Sequence, residues 1–302
     1  MPNDVHLVGS VPLSDAEAVF RAVSTELGPW LKRVPDGETG ARTNWIRWQR
    51  EMLNQHPAME VDPTIPPQEF RLWDGRLFRT MEMLRFRPGT DLDSVRFHTG
   101  YAEAAIDSYA TFRRLRSDGL IPPRLRFQVC LPTPMATGYM DIGHHSRADF
   151  LAVYERALLA AVSDMIQAIP GGDLSIQWDV CQEVVLFEGY FADRPANYKQ
   201  QVFEELARLG NAIPTDVECG YHLCYGSPRD EHVVMPKDMA VLREITQAIV
   251  DGLTRPLNFL HLPVPQARSD DAYFSPMRDF SLPPETDLYL GVIAENDGEG
   301  DR

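Results

Sequence analysis

The stretch VECGYHLCYG, residues 217–226, predicts a buried strand that ends in an imidazole and a thiol two residues apart. Side chains at i and i+2 of an extended strand point to the same face, about 7 Å apart. His222 and Cys224 can therefore bind one ion, and this pair of ligand types favours zinc. The alternative is that Cys224 is a small buried side chain and His222 a hydrogen-bonded loop histidine, the common fate of both types.

Strand-like and helix-like segments alternate along the chain, which predicts a parallel sheet with helices outside it. The predicted strands cover residues 5–8, 31–34, 125–131, 174–179, 217–224, 257–262 and 287–293. Helices are indicated by the capping-box spacing of Ser14 to Glu17 and by apolar residues at helical spacing, as in Phe150, Tyr154, Leu158 and Met165.

The positions of glycine and of polar residues favour a closed barrel over an open doubly wound sheet. Val8 to Pro12 lacks the second and third glycines of a dinucleotide-binding turn. Polar residues instead follow many different predicted strands: Ser10, Glu38, Thr133, Asp179, His222 and His261. Such a distribution is typical of the carboxyl-end face of a (β/α)8 barrel. This barrel needs eight strands, one more than the pattern supplies, so we expect its last strand to be missing from this sequence.

Composition limits the class of protein. A chain of 302 residues with 44% hydrophobic residues can form a single barrel domain over residues 1–302. The proline-rich region 57–98, with a hairpin at Asp74-Gly75, is predicted to be an insertion that covers part of the site, and residues 295–302 an acidic tail.

The net charge of −15 disfavours nucleic acid as a partner. The absence of a long apolar run or a secretory start predicts a protein without a membrane span. Four cysteines in a chain of this length predict free thiols in the reducing cytoplasm.

Four short motifs, each at the end of a predicted strand, resemble in this order the catalytic domain of cobalamin-independent methionine synthase. They are LVGSVP at 7–12, QWD at 177–179, YHLC at 221–224 and LGVI at 290–293. The wider group is the TIM-barrel superfamily that also contains uroporphyrinogen decarboxylase. The resemblance implies an enzyme in which zinc activates a thiol for methyl transfer. In that family, a further strand after the last motif brings a cysteine that completes the zinc site.

The resemblance also implies roles for individual residues. Asp179 would hold the amino group of an amino-acid substrate, the Ser10 loop would bind its carboxylate, and Glu38 would contact the same substrate. Val180-Cys181 replaces the Glu-Pro that follows this aspartate in the family, which puts the amino-acid substrate in doubt. The alternative for each residue is a purely structural role. Asp179 would then be a capping carboxylate, Ser10 a turn serine and Glu38 a solvated turn residue.

The third zinc ligand of the family is a glutamate at the end of the strand after the His-x-Cys motif. His261 stands within a residue of that place, and a histidine can replace a carboxylate on zinc. We therefore predict a zinc ion bound by His222, Cys224 and His261, with Asp179, Glu38 and His261 as catalytic residues and Ser10, Glu38 and Asp179 as substrate-binding residues.

The predicted reaction is the attack of a thiol substrate, held on zinc as its thiolate, on a methyl or alkyl donor such as a methylated folate. Two other functions remain open. The first is a metal-free decarboxylase or lyase on the same barrel, with Arg42, Arg47 and Arg50 binding a polycarboxylate. The second is a noncatalytic small-molecule-binding homologue that keeps the pocket.

Overall fold

The computed structural model describes residues 4–228 and 231–293, in which strands and helices alternate. The strands of this part of the chain are β1 (Arg33–Pro35), β2 (Met59–Val61), β3 (Gln68–Arg71), β4 (Leu77–Met81), β5 (Leu84–Phe86), β6 (Arg126–Pro132), β7 (Leu174–Val180), β8 (Glu218–Leu223), β9 (Phe259–Pro263) and β10 (Asp287–Gly291). Its helices are α1 (Ala16–Glu26), α2 (Arg47–Gln55), α3 (Tyr101–Ser117), α4 (Pro134–Asp141), α5 (His144–Ala168), α6 (Gln182–Phe187), α7 (Tyr198–Asn211), α8 (Ala240–Gly252) and α9 (Asp271–Phe274). The predicted acidic tail, 295–302, lies outside the described residues.

Local sequence signals explain the start of α1 and the buried face of α5. The Asp15 carboxylate accepts a hydrogen bond from the Ala18 N–H at 2.9 Å, so Asp15 is the residue that caps α1. The predicted capping region thus does open a helix. In α5, the apolar residues at helical spacing are all buried, which confirms the predicted face: Phe150, Tyr154, Leu158 and Met165.

Six strands form one parallel sheet, in the spatial order β1-β6-β7-β8-β9-β10. Every residue of β7 is buried, as expected for a parallel strand that is covered on both faces. Because the strands run in one direction, their carboxyl ends share one edge of the sheet. The loops that follow β1, β7, β8 and β9 therefore lie at the same end of the molecule.

The sheet curls so that its two edge strands face each other across a concave side. Lys32, next to β1, lies 2.7 Å from the Asp287 carboxylate of β10. The buried Arg33 guanidinium pairs with Glu218 of β8 at 3.0 Å and lies 4.0 Å from the centre of the Phe259 ring of β9. One side chain of an edge strand thus spans the concave side and contacts the far strands.

A complete (β/α)8 barrel is not formed by the described residues, which provide a six-stranded curled sheet in place of the predicted barrel. The predicted strand at residues 5–8 pairs with the chain around β1 only through isolated bridges. Its Leu7 and Val8 carbonyls accept hydrogen bonds from the Gln128 and Gln177 side chains, at 2.9 and 2.7 Å. Because these carbonyls bond side-chain amides and not the backbone of a neighbouring strand, the segment does not become a further strand of the sheet.

Residues 57–98 form two small antiparallel pairs, β2 with β5 and β3 with β4. The hairpin predicted at Asp74-Gly75 is observed between β3 and β4. Near its tip, the Trp73 N–H donates to the His232 carbonyl at 3.5 Å, and Arg76 pairs with Glu231. The insertion therefore contacts the loop that follows β8.

One hydrophobic cluster runs through the sheet and its helices, from Val19 of α1 to Tyr273 of α9. Trp178 of β7 is fully buried within it. Among the residues that the structure describes, no helix combines the length and the apolar character needed to cross a membrane.

Candidate functional site

Three titratable side chains lie in a row across the carboxyl-end half of the concave side. The strand register places Asp179 of β7 beside His222 of β8, and His222 beside His261 of β9. Residues in register on neighbouring parallel strands present their side chains to the same face. The two histidine Nδ1 atoms are 2.7 Å apart, within hydrogen-bond distance. Asp179 and His261 are both buried.

Cys224 extends this row just beyond the end of β8. Its N–H donates to the Val180 carbonyl at 3.0 Å, so the β7–β8 pairing continues one residue past the strand. The Cys224 sulfur accepts a hydrogen bond from the Gly226 N–H at 3.3 Å, and Cys181 and His222 are the side chains that most lower its pKa. His222 and Cys224 thus lie side by side on one face, as their two-residue spacing suggested.

These contacts favour a charged sulfur. The hydrogen bond from Cys181, followed by the contact with His222, holds the pKa of the Cys224 thiol well below its usual range, although burial opposes this. The same bond raises the pKa of the donor Cys181. Burial works to lower the pKa of His222, but Cys224 together with the charges of Asp179 and Glu38 outweighs burial, and the pKa is raised. Both shifts favour an ionised sulfur on Cys224 and a protonated ring on His222.

His261 is the neutral partner in the row. Burial, then the charge of His222 and the nearby His6, lowers the pKa of His261 well below its usual value. A neutral imidazole can accept the His222 N–H bond, which agrees with the short contact between the two rings. His6 packs behind His261, bonded to Gln177 at 2.8 Å and stacked 4.8 Å from the Tyr289 ring.

Asp179 is a buried carboxyl whose proton is retained at neutral pH. Burial, reinforced by the charge of Glu38, raises the pKa of Asp179 to about 8, although His222 acts in the opposite direction. The Gln177 amide donates to one Asp179 oxygen at 2.8 Å. This carboxyl can donate a proton to a group in the cavity, and it can take one back after ionising.

Glu38 lies opposite this row, in the loop after β1. Its oxygen accepts a hydrogen bond from the Ser10 hydroxyl, and burial raises the pKa of Glu38. The Glu38 backbone has φ +51°, an uncommon conformation for a residue other than glycine, and its N–H donates to Asp36 at 3.0 Å. Such local strain is common at functional sites.

Gly9 is needed where the amino-terminal segment approaches Glu38. Its φ of +147° is one that side chains rarely adopt. A Cβ atom there would lie 3.1 Å from the Cys130 sulfur and 3.2 Å from Glu38 Oε2. The glycine of the Gly-Ser-Val-Pro motif therefore lets Ser10 reach Glu38.

The structure thus brings together all the residues that the sequence singled out for the site: Ser10, Glu38, Asp179, His222, Cys224 and His261. Their functional roles stay predictions. Arg42 and Arg50, proposed for a polycarboxylate, instead pair with Asp36 at 2.6 Å and with Asp141 at 3.3 Å. This engagement weakens the metal-free decarboxylase alternative.

The predicted zinc centre does not fit this arrangement. Two imidazole nitrogens on one tetrahedral zinc ion lie about 3.3 Å apart, given zinc–nitrogen bonds of about 2.0–2.1 Å. The 2.7 Å contact between His222 and His261 is instead a direct hydrogen bond. Across residues 4–228 and 231–293, no group of three or more His, Cys, Asp and Glu side chains is arranged to hold a metal ion. Zinc binding by His222, Cys224 and His261 stays a prediction.

Three features of the site were not predicted from the sequence: the interaction of Cys181 with Cys224, the bond of Gln177 to Asp179, and the presence of His6. The signal for Gln177 is polar alternation, since Gln177 and Asp179 sit two residues apart on an otherwise apolar strand. The roles of Cys181 and His6 depend on strand register and on the path of the amino-terminal segment, which no local pattern reveals.

No protein-family model matches the chain, and no curated protein matches its sequence. Among solved structures, the chain is similar to a Listeria monocytogenes protein provisionally named a vitamin-B12-independent methionine synthase. The two are 15% identical, the similarity covers 94% of this chain and 71% of the other, and the TM-score is 0.49. At these values the similarity assigns neither a family nor a reaction to this chain.

Proposed function

We propose that this protein is an enzyme that transfers a methyl group or another alkyl group from a donor to a thiol. The observation that carries the proposal is the placement of Cys224, whose pKa is lowered, beside His222, with the Asp179 carboxyl next to His222 in the strand register. A nucleophile beside its charge partner and a proton donor is the arrangement that covalent group transfer requires.

In the first half of the proposed reaction, the Cys224 sulfur attacks an electrophilic carbon of the donor. A carbon–sulfur bond forms while the bond from that carbon to the leaving group breaks, and the leaving group keeps the electron pair. The Asp179 carboxyl is protonated below about pH 8 and gives its proton to the leaving group. His222 fixes the sulfur in its ionised form before the attack.

In the second half, a substrate thiol displaces the carbon group from Cys224. The new carbon–sulfur bond forms on the acceptor, and the electron pair of the broken bond returns to Cys224 as a thiolate. The acceptor proton goes to the Asp179 carboxylate, which restores the starting state. Methyl transfer from a methylated folate is the particular case that the sequence resemblance suggests.

Glu38 and Ser10 are the proposed substrate-binding groups. Glu38 lies near enough to Asp179 and His222 to influence their pKa values, and the Ser10 hydroxyl holds the Glu38 carboxyl in place. Burial raises the pKa of Glu38, which favours the protonated form that would donate a hydrogen bond to an oxygen or nitrogen of the substrate.

The test uses a donor with an isotopically labelled methyl group, a small acceptor thiol and mass spectrometry of both protein and products. We expect a labelled adduct on Cys224 and a labelled thioether product with the wild type, and neither with Cys224→Ser. Cys219→Ser is the matched control, because Cys219 is a buried cysteine of the same strand outside the site. Turnover by Cys224→Ser at the wild-type rate would contradict the proposal.

A second arm tests zinc directly. Wild-type protein is assayed before and after complete removal of metal by a chelator, with its metal content measured in parallel. The proposed reaction predicts unchanged adduct formation on Cys224. Loss of the adduct on chelation, with recovery on adding zinc, would restore the zinc-dependent mechanism.

A further inference from the structure

Cys181 and Cys224 occupy matching positions at the ends of neighbouring strands. The last residue pair of the β7–β8 ladder is Val180 with Leu223, and each cysteine follows directly. The Cys224 N–H bond to Val180 keeps the two chains together at this point. Neighbouring strands are about 4.8 Å apart, which lies within the Cα separations of about 4.4–6.8 Å found in disulfides.

The two sulfur atoms also lie beside the same glycine. Their interaction raises the pKa of Cys181 and lowers that of Cys224. Gly226 lies against both: its N–H is 3.3 Å from the Cys224 sulfur, and a Cβ added at this glycine would be 3.8 Å from the Cys181 sulfur. The remaining cysteines have other surroundings, since Cys130 bonds to the Val8 carbonyl and Cys219 is fully buried.

We propose that Cys181 and Cys224 form a reversible disulfide when the protein reacts with a hydroperoxide. Cys224 is half-buried and Cys181 is almost fully buried, so the peroxide meets Cys224 first. The Cys224 sulfur attacks one peroxide oxygen, the O–O bond breaks, and a sulfenic acid and one molecule of water or alcohol form.

The Cys181 sulfur then attacks the sulfenic sulfur. The S–S bond forms as the S–O bond breaks, and the oxygen leaves as water with the Cys181 proton. In total, two thiols are oxidised by two electrons and one peroxide is reduced. A small thiol or dithiol reverses the reaction by exchange.

The consequence for activity rests on the proposed function, because the disulfide would occupy the sulfur that attacks the donor. The disulfide itself does not depend on that function. Its detection by mass therefore remains a valid test even if no group transfer is found.

The experiment treats the native full chain with hydrogen peroxide, blocks the remaining thiols, and maps disulfides by tryptic digestion. Cys181 lies in the peptide 157–199, and Cys224 shares the peptide 209–229 with Cys219. The Cys219→Ser variant leaves Cys224 as the only thiol of the second peptide. In the wild type, fragmentation between positions 219 and 224 separates the two, so the result does not depend on that variant.

We expect a crosslinked pair of these peptides, lighter than the sum of the two by two hydrogen atoms and lost on treatment with a dithiol. In Cys181→Ser, we expect oxidation of Cys224 to sulfinic acid that a dithiol does not reverse. Irreversible oxidation of Cys224 in the wild type without a crosslink, or a crosslink that uses Cys130 or Cys219, would overturn the proposal.

Discussion

The two ends of the concave side bury charged groups in different ways. Near the amino ends of the strands, Arg33 is fully buried but well partnered: it pairs with Glu218 at 3.0 Å and Asp287 at 3.6 Å and lies over the Phe259 ring. Near the carboxyl ends, Asp179 and His261 are buried with pKa values shifted against their charged forms.

We infer that the groups at the amino ends stabilise the fold and that the groups at the carboxyl ends serve the chemistry. A buried charge with matched partners fixes the curvature of the sheet, because its contacts join strands that are distant in order. Asp179, with a pKa of about 8, exchanges a proton near neutral pH, which is a common property of catalytic groups. Parallel α/β folds with strands in this arrangement place their active sites at the carboxyl ends.

Arg33→Met should have the largest effect on stability. It leaves Glu218 and Asp287 without their shared buried partner, and we expect the free energy of unfolding to fall by about 3 kcal/mol. Arg21→Met is the control, because Arg21 forms an exposed ion pair with Glu17 and should change stability by no more than about 0.5 kcal/mol. Urea unfolding measures both. Equal effects would show that the amino-end network does not hold the sheet.

Asp179→Asn should alter the pH dependence of stability. Folding raises the pKa of Asp179 from 3.8 to about 8, so the folded protein binds this proton more tightly than the unfolded chain. Raising the pH within that interval therefore destabilises the folded wild type.

The asparagine variant lacks this titration, so its free energy of unfolding should fall less than that of the wild type between about pH 5 and about pH 8. The difference between the two losses should exceed about 1.4 kcal/mol, the equivalent of one pKa unit. Urea unfolding at both pH values gives the difference. The exposed Asp149→Asn serves as the control. Parallel pH profiles for wild type and Asp179→Asn would rule out a retained proton on Asp179.

His222→Asn should slow the reaction of Cys224 with an alkylating reagent by about tenfold at pH 7. Without the imidazolium, less of the sulfur is ionised, since an ordinary thiol with a pKa near 8.5 is only a few per cent thiolate at this pH. The slowing should disappear at high pH, where both proteins are fully ionised. A rate deficit that persists at high pH would indicate misfolding or a steric effect of the substitution.

Ser10→Ala should have the smallest effect. Removal of one hydrogen bond to Glu38 is expected to lower the free energy of unfolding by about 1 kcal/mol. Because that bond opposes the effect of burial, its loss should raise the pKa of Glu38 further. Thermal unfolding measures the first effect and carboxyl NMR titration the second. A lowered Glu38 pKa in the variant would contradict the geometry of this contact.

The sequence predicts the sheet strands after residue 30 well, because they are apolar runs bounded by helices and turns. It also predicts that His222 and Cys224 share a face, since strand periodicity alone determines this. The prediction of a sheet strand at residues 5–8 is wrong. Its carbonyls accept hydrogen bonds from the side chains of Gln128 and Gln177, which lie more than a hundred residues away. The contact of Cys181 with Cys224 likewise depends on the β7–β8 register, which is a tertiary property.

The central claim is that Cys224 is an activated nucleophile at the carboxyl end of the sheet. The most direct measurement is the rate at which iodoacetamide modifies each of the four cysteines in the native protein, followed by peptide mass spectrometry from about pH 5 to about pH 9. We expect Cys224 to react before Cys130, Cys181 and Cys219, with an apparent pKa clearly below about 8.5. A Cys224 that reacts no faster than these buried cysteines, or that ionises at or above the usual thiol pKa, would contradict it.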